Sequence, residues 1–539
     1  WNDTAQLDFL KADVREVVIR TILDVARRFP VIRFDAAMVL AKKHVERLWY
    51  PEPGAGGAIP SRAEHAIPKA EFDRLMPNEF WREVVDRVAA EAPDTLLLAE
   101  AFWLLEGYFV RTLGMHRVYN SAFMHMIRDE DNAGYRKVIR DTVEFDPAIL
   151  GRYVNFLTNP DEETAIEQFG TGDKYFGAAT LLATLPGLPM IGHGQLEGFT
   201  EKYGMEFQRA RLDERPNEGL AAWFDAQIVP LLRERARYAG SADFRLYDVV
   251  ADGGGLLEDV FAYSNGRGDQ RSLVVYLNHF GATAGWIRDS VAFADKHEDG
   301  SKTTRRESLA EALRLGGGDD GWLRLRDRRG SRETVRSVGE IRSRGLFVEL
   351  DAYGCIVIDE LREVASTADE PWDELARQLG GRWVPSLDDA LADLRLGPVH
   401  ERVAGAMVDG DAAATARALV AILDGLDRTM FDTLRLATPL RAGGFSDTDI
   451  RRTRLAIGLA HPHTLRDPVA LAEAWFRDRE VREFLQVHEW DGVTYLAKEP
   501  WVELVEVAAA LDRAAGSTRQ SAAFGRLLAA AERTGYRVD

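Results

Sequence analysis

The feature that most constrains this chain is an alternation across residues 1 to about 240. A helical stretch repeatedly gives way to a short, almost wholly apolar run that ends in polar residues. Val18, Ile22 and Val25 share a helical face ahead of Pro30-Val31-Ile32-Arg33-Phe34-Asp35. The helical stretch from Phe80 to Ala90 leads to Thr95-Leu96-Leu97-Leu98-Ala99-Glu100. Tyr153 to Leu157 and Leu188 to Gly192 read as further strands of the same kind. Strands buried on both faces lose the apolar–polar alternation of a half-exposed sheet, and a helix between consecutive strands lets them lie parallel. The pattern therefore predicts a parallel α/β sheet or barrel. Polar residues at C-terminal strand ends are where an α/β barrel keeps its chemistry.

From about residue 242 to 362 the period changes to strands. Val260 to Tyr263 and Leu273 to Leu277 flank a turn rich in Asn, Gly and Asp, and Leu346 to Leu350 is expected to pair with Cys355 to Ile358 across Asp351-Ala352-Tyr353-Gly354. This predicts antiparallel hairpins in a small β-sandwich. From 363 to 539 the helical period returns, with Leu419, Leu423, Leu426, Met430 and Leu434 on one predicted face. Three domains are expected: 1–241, 242–362 and 363–539, the last all-α. A chain of 539 residues exceeds a single core, in keeping with that division.

A formal charge of -19 offers no basic stripe and argues against a nucleic-acid partner. The one cysteine, Cys355, excludes an internal disulfide framework and any cysteine-rich metal site; it fits a reducing, cytoplasmic setting. No apolar run approaches the ~20 residues of a bilayer span, and Pro186 and Pro189 break the nearest one, Ala178 to Ile191. No membrane partner is expected. Trp1-Asn2-Asp3 resembles neither an initiator methionine nor a signal sequence, so the natural N-terminus is expected to lie upstream.

Three acids stand at or just past strand ends. Arg33 and Asp35 project to the same side of one strand, and an arginine beside a carboxylate favours its ionised form, as a nucleophile requires. Glu100 closes an apolar run, and apolar surroundings favour the protonated form that a general acid requires. Asp161 follows Asn159-Pro160, with Glu162 and Glu163 behind it. Such a triple could supply nucleophile, acid/base and stabiliser around a glycosidic bond. Each motif also has a bland reading: Arg-x-Asp as a structural ion pair, Glu100 as a helix-start residue, Asn-Pro-Asp-Glu as turn chemistry.

In order along the chain, Val31-Ile32-Arg33-Phe34-Asp35-Ala36, Leu98-Ala99-Glu100-Ala101-Phe102 and Phe156-Leu157-Thr158-Asn159-Pro160-Asp161 resemble the second, third and fourth conserved regions of glycoside hydrolase family 13, the α-amylase family. Thr184-Leu185-Pro186-Gly187-Leu188-Pro189 with Gly194-Gln195 resembles its eighth barrel strand. The resemblance implies the C-terminal part of a (β/α)8 barrel, strands four to eight, with the first three strands, the first conserved region and the usual calcium ligands upstream of Trp1. It implies Asp35 as nucleophile, Glu100 as acid/base, Asp161 as stabiliser, and Arg33 and Asn159 as substrate-binding residues. No cofactor is required. The implied activity is that of a retaining α-glycosidase acting on an α-glucan or maltooligosaccharide.

The chain departs from the family in places. Pro160 stands where the family has histidine, and Met38 and Val39 stand where it has a Lys-His pair, with Lys42, Lys43 and His44 one helical turn later. Pro160 and the wording around Glu100 are similar to α-1,4-glucan:maltose-1-phosphate maltosyltransferases, which makes a transferase the alternative. A non-catalytic carbohydrate-binding protein is the second alternative.

Other features carry less. The stretch Trp49 to Trp81, with Tyr50, Pro51, Pro53 and His65, is either a wall of the sugar cleft or a connecting loop. Of Trp103, Tyr108, His116, Tyr119 and His125, most are expected to pack and a few to face sugar. His461-Pro-His463 reads as a turn, Gly266 to Asp269 as a hairpin turn, and Gly253-Gly254-Gly255 lacks the strand-to-helix setting of a phosphate loop.

Overall fold

The computed structural model describes residues 6–55, 60–102, 105–202, 209–297, 299, 301–409, 411–423, 426–460, 474–514 and 521–537. Trp103, His461 and His463 lie outside the described residues. The chain divides into two compact units, Trp1–Leu387 and Asp388–Asp539.

The first unit begins with five parallel strands in chain order: β1 Val31–Phe34, β2 Leu96–Ala99, β3 Arg117–Tyr119, β4 Tyr153–Phe156 and β5 Leu188–Met190. Helices separate each pair, among them Phe80–Glu91 before β2, Asn132–Phe145 before β4 and Asp173–Thr184 before β5. This is a half-barrel. Among the described residues β1 and β5 have no strand on their outer sides, and Val31, Leu188 and Ile191 are exposed there. The run before Glu100 is buried as its composition predicts: Leu97, Leu98 and Ala99 are all in the core. On helix Ala12–Ala26 the buried face is Ile19, Leu23 and Ala26, with Val18 and Ile22 at its margin.

The strand-rich region forms one curled antiparallel sheet. Its strands are β6 Arg245–Val250, β7 Val260–Arg267, β8 Gln270–Leu277, β9 Thr283–Ser290, β12 Trp322–Asp327, β13 Arg332–Ser337, β14 Leu346–Leu350 and β15 Cys355–Val364, with β10 Phe293–Lys296 and β11 Lys302–Arg305 paired apart. The order is β13-β12-β15-β8-β7-β6-β9-β14. The β7–β8 hairpin forms as expected, closing at Arg267↔Gln270. The expected β14–β15 hairpin does not: β14 pairs with β9, and β15 with β8 and β12. Apolar side chains on both strands explain the difference. Leu346, Val348 and Leu350 meet Ile356 and Ile358 across a shared core instead of along a ladder. Asp351 to Gly354 therefore crosses between strands that are not neighbours.

Helix Asp173–Thr184 is buried along almost its whole length between half-barrel and antiparallel sheet. The approach is closest at Gly177, where any Cβ would collide with the ring of Tyr276. Helix Trp372–Leu379 also belongs to the first unit. Trp372 is buried there, and Val384 bridges to Glu333 beside it.

The second unit is helical, with cores around Leu419 and Phe431 and around Trp501 and Val505. It departs from the all-α expectation by a short hairpin, His488–Trp490 with Val493–Tyr495. The predicted face from Leu419 to Leu434 is not one helix either. Helix Ala412–Ile422 stops at Leu423, and Asp427 accepts a hydrogen bond from Met430 N to cap a new helix, leaving Met430 exposed. A capping aspartate overrides an apolar period. Among the described residues no helix is long and apolar enough to cross a membrane.

In a parallel sheet, successive backbone N–H groups point to alternate neighbours. Leu96 and Glu100 donate to β1, while Leu97 faces β3, which begins too late to accept from it. The His116 side chain fills that place: Nδ1 accepts from Leu97 N at 3.0 Å. This requires a neutral ring, and burial followed by Arg152 and Arg117 lowers its pKa. A histidine held neutral in the fold stabilises above its unfolded pKa of about 6.5 and loses that contribution as pH falls. His116→Leu should therefore cost about 1–2 kcal/mol at pH 7.5, where Leu97 N–H loses its acceptor. The gap to wild type should narrow toward pH 5; urea unfolding across that range checks both.

Candidate active site

The site is built by the first strand pairing. The register sets Arg33 beside Leu98 and Phe34 beside Ala99. Beyond it Glu100 N donates to Phe34 O at 3.0 Å and Ala37 N to Glu100 O at 2.9 Å. Asp35 and Glu100 are thus fixed at one level on neighbouring strand ends. Ala36 then adopts φ 43°, in the left-handed region, which turns the chain sharply after Asp35. Its N–H donates to Glu100 Oε2 at 2.9 Å. Trp81 secures the turn from below, donating Nε1–H to Ala37 O at 2.7 Å.

Arg33 stands between the two acids, with Nη1 at 3.0 Å from Asp35 Oδ1 and Nη2 at 3.0 Å from Glu100 Oε1. The acids differ in setting: the Asp35 side chain is 54% exposed and that of Glu100 3%. Burial raises the Glu100 pKa to about 7, and a hydrogen bond with Asp35 adds to it. Ala36 N–H and the Arg33 charge oppose the rise. Oε2 accepts from Ala36, and Oε1 has no aligned hydrogen-bond partner among the described residues. An exposed acid and a buried one whose pKa burial raises to about 7 thus share one arginine.

Asp161 joins them from the loop after β4. The nearest carboxylate oxygens of Asp35, Glu100 and Asp161 lie within 4.8 Å of one another. Asn159 shapes this loop: it is buried, and its Oδ1 accepts from the backbone N of Asp161 and of Glu162, both at 2.9 Å. Thr158 Oγ1 donates to Glu163 O at 2.8 Å. A cavity of about 290 Å³ lies on the far side of Arg33, lined by Arg33, Tyr119, Asn159, Pro160, Met190 and His193 among others but by none of the three acids. The three acids also form a donor set of the kind hard cations take, but Arg33 already supplies positive charge to two of them.

The structure brings together all the residues the sequence singles out: Asp35, Glu100, Asp161 and Arg33, with Asn159 beneath the third acid. Met38 is in the core, Lys42 pairs with Asp73 at 2.9 Å, and His44 is buried. Trp81 is buried and Trp49 exposed. Tyr108 donates to Glu79, whose carboxylate caps helix Lys42–Trp49 through Lys42 N. His125 Nε2 is 3.2 Å from Glu162 Oε1. Sequence reasoning named Tyr119 only among residues expected to pack or to face sugar; its hydroxyl accepts from Arg33 Nε at 2.7 Å. It sits on a three-residue strand whose only apolar positions are Val118 and Tyr119, too short to show a period.

No family model matches this sequence, and no curated protein does. Among solved structures, the chain is similar to an α-amylase from H. orenii (16% identity, 67% of this chain and 67% of that chain, TM-score 0.39). It is similar to the Nostoc punctiforme debranching enzyme (14%, 66% and 63%, TM-score 0.42). The α-amylase from Geobacillus thermoleovorans, complexed with acarbose, is a third (15%, 66% and 65%, TM-score 0.39). The match thus spans less than two thirds of the length of the second and third of these chains.

A carboxyl whose folded pKa is raised stabilises below its unfolded value and loses that contribution as pH rises through the folded one. For Glu100 the window runs from about 4.5 to about 7. Glu100→Gln, which cannot ionise, should raise the melting temperature of residues 1–539 over wild type at pH 8 and give no such gain at pH 4.5. An equal change at both would show that Glu100 is not held protonated.

Proposed function

We propose that this chain is the catalytic part of a retaining α-glycosidase acting on α-glucans. The observation that carries the reading is the close, unequal pair: exposed Asp35 and buried Glu100 bridged by Arg33, with Asp161 within 4.8 Å. Inverting pairs stand about 6.5–9.5 Å apart to admit water, whereas a double displacement needs the closer spacing.

In this mechanism Asp35, held beside Arg33, attacks the anomeric carbon while Glu100 passes its proton to the departing glycosidic oxygen. The bond from carbon to that oxygen breaks as the bond to Asp35 forms. Glu100, now ionised, then takes a proton from water, which displaces Asp35 with net retention. Asp161 faces the positive charge that develops on the sugar. No cofactor enters. The substrate is an α-glucan or maltooligosaccharide.

A glycosyl transferase of the same family is the second reading. Pro160, on the cavity wall where that family has histidine, favours it by changing the contacts next to the third acid. A sugar hydroxyl would then replace water in the second step. The two readings part on products: reducing sugar from starch supports hydrolysis, and phosphate release from maltose-1-phosphate with glycogen extension supports transfer.

The activity test measures turnover of α-glucans by the protein and its variants. Asp35→Asn should abolish turnover with the fold intact. Glu100→Gln should lose roughly 10²- to 10⁴-fold on glucans yet far less on α-glucosyl fluoride, whose leaving group needs no proton. Equal losses on both substrates would remove Glu100 from the acid role, and near-normal rates in Asp35→Asn would end the assignment.

A further inference from the structure

Arg33 has three donor edges, and among the described residues one of them, Nε–H, makes a directional bond. Its Nη1 and Nη2 lie at ion-pair distance from Asp35 and Glu100, yet Glu100 Oε1 has no aligned hydrogen-bond donor among the described residues. Nε–H, by contrast, donates to Tyr119 Oη at 2.7 Å. An ion pair tolerates sliding and rotation; a hydrogen bond to a fixed oxygen does not.

Tyr119 is itself fixed. It is 1% exposed and tilted against Phe156 with ring centroids 5.0 Å apart. Its backbone is in β3, between β2 and β4. Its own O–H points to Met190 Sδ at 3.4 Å on β5, leaving the oxygen lone pairs to Arg33. The guanidinium also lies over the tyrosine ring at 5.3 Å.

We propose that Tyr119 is the positioning residue of this site: it aims the Arg33 guanidinium so that one charge is divided between Asp35 and Glu100. Tyr119 does not touch the reacting atoms and acts through Arg33. The inference rests on the reading of Arg33, Asp35 and Glu100 as one unit, and names a residue that none of the sequence motifs contains.

The groups facing Glu100 set the sign of the effect. Arg33 and Asp35 come from the end of β1, Tyr119 from β3, and Asp161 from the loop after β4. If Arg33 swings away, Glu100 loses its nearest positive charge and keeps Asp35 and Asp161 as negative neighbours. Its proton is then held more tightly.

The test compares wild type with Tyr119→Phe in residues 1–539, each with and without Glu100→Gln, by thermal melting from pH 4.5 to 9. The midpoint of the difference that Glu100→Gln makes should move up by about half a pH unit or more in Tyr119→Phe. In an Arg33→Lys background Tyr119→Phe should add no further shift, since lysine has no Nε–H to aim. The second readout is the ¹⁵N-resolved Nε–H of Arg33, whose exchange with solvent should speed by about tenfold or more once its acceptor is gone. A tyrosine with a merely structural role would lower melting equally at every pH and leave Nε–H exchange unchanged, and either result overturns the proposal. Neither readout needs turnover, so a failure of the glycosidase reading is seen separately, in the product assays.

Discussion

The parallel pairing of Val31–Phe34 with Leu96–Ala99 is the constraint on which the site depends. Side chains in a sheet alternate, so a one-residue slip would send Arg33 and Asp35 to the opposite side from Glu100. The register is held at both ends: Leu96 N donates to Pro30 O at one, and Glu100 N to Phe34 O at the other, with Ala37 N returning to Glu100 O. Apolar burial drives the same choice, because Leu97 and Ala99 must both reach the core that contains Trp81, Val84 and Val88. Site geometry and core packing are thus one requirement.

From that pairing the rest of the half-barrel follows by support. Asn120 Nδ2 donates to Asn155 Oδ1 at 2.8 Å, and Asn155 Nδ2 to Pro186 O at 3.1 Å, a buried polar ladder from the end of β3 to the loop before β5. Such a ladder is stable in a core only when its members are satisfied. It fixes the height at which the β4 loop leaves the sheet, and so where Asp161 arrives. Behind it, helix Asp173–Thr184 is pressed onto the antiparallel sheet through Tyr276 and Tyr263. The second sheet acts as a backstop for the half-barrel.

Much of this was legible in the sequence, for definite reasons. The short apolar run ending in Glu100 announces a buried strand with an acid at its C-terminal end, because a doubly buried strand needs no polar face; the run ending in Asp35 also forms a strand, but one at the sheet edge with Val31 exposed. Asn159-Pro160-Asp161 announces a turn, and Asn159 does hold the following N–H groups. What escaped is non-local. Nothing in Arg117-Val118-Tyr119 shows that its hydroxyl will meet an arginine far earlier in the chain. Nothing in Leu346 to Ile358 shows that two adjacent apolar strands will face each other across a core instead of pairing. Pairing partners are chosen by shared burial, and burial is decided by the whole fold. The Leu419 to Leu434 period failed for the opposite reason: a local cap at Asp427 overruled a longer-range pattern.

Whether such a cluster is scaffolding or chemistry can be argued from how completely it is satisfied. A structural ion pair in a strand gains by enclosing both partners and filling every lone pair, since an unpaired buried oxygen costs free energy. This cluster does the reverse. Glu100 is enclosed yet keeps Oε1 without an aligned donor, while Asp35, its partner through Arg33, stays half open to solvent. Burial raises the pKa of the first acid to about 7, and exposure leaves the second open to solvent. The imbalance makes the fold less stable as Glu100 ionises, by the linkage of its raised pKa. A pure sugar-binding surface has no use for that cost, since hydroxyl recognition needs neither a shared proton nor three carboxylates within reach of one point. The proposed double displacement uses both, at the place where stability is given up.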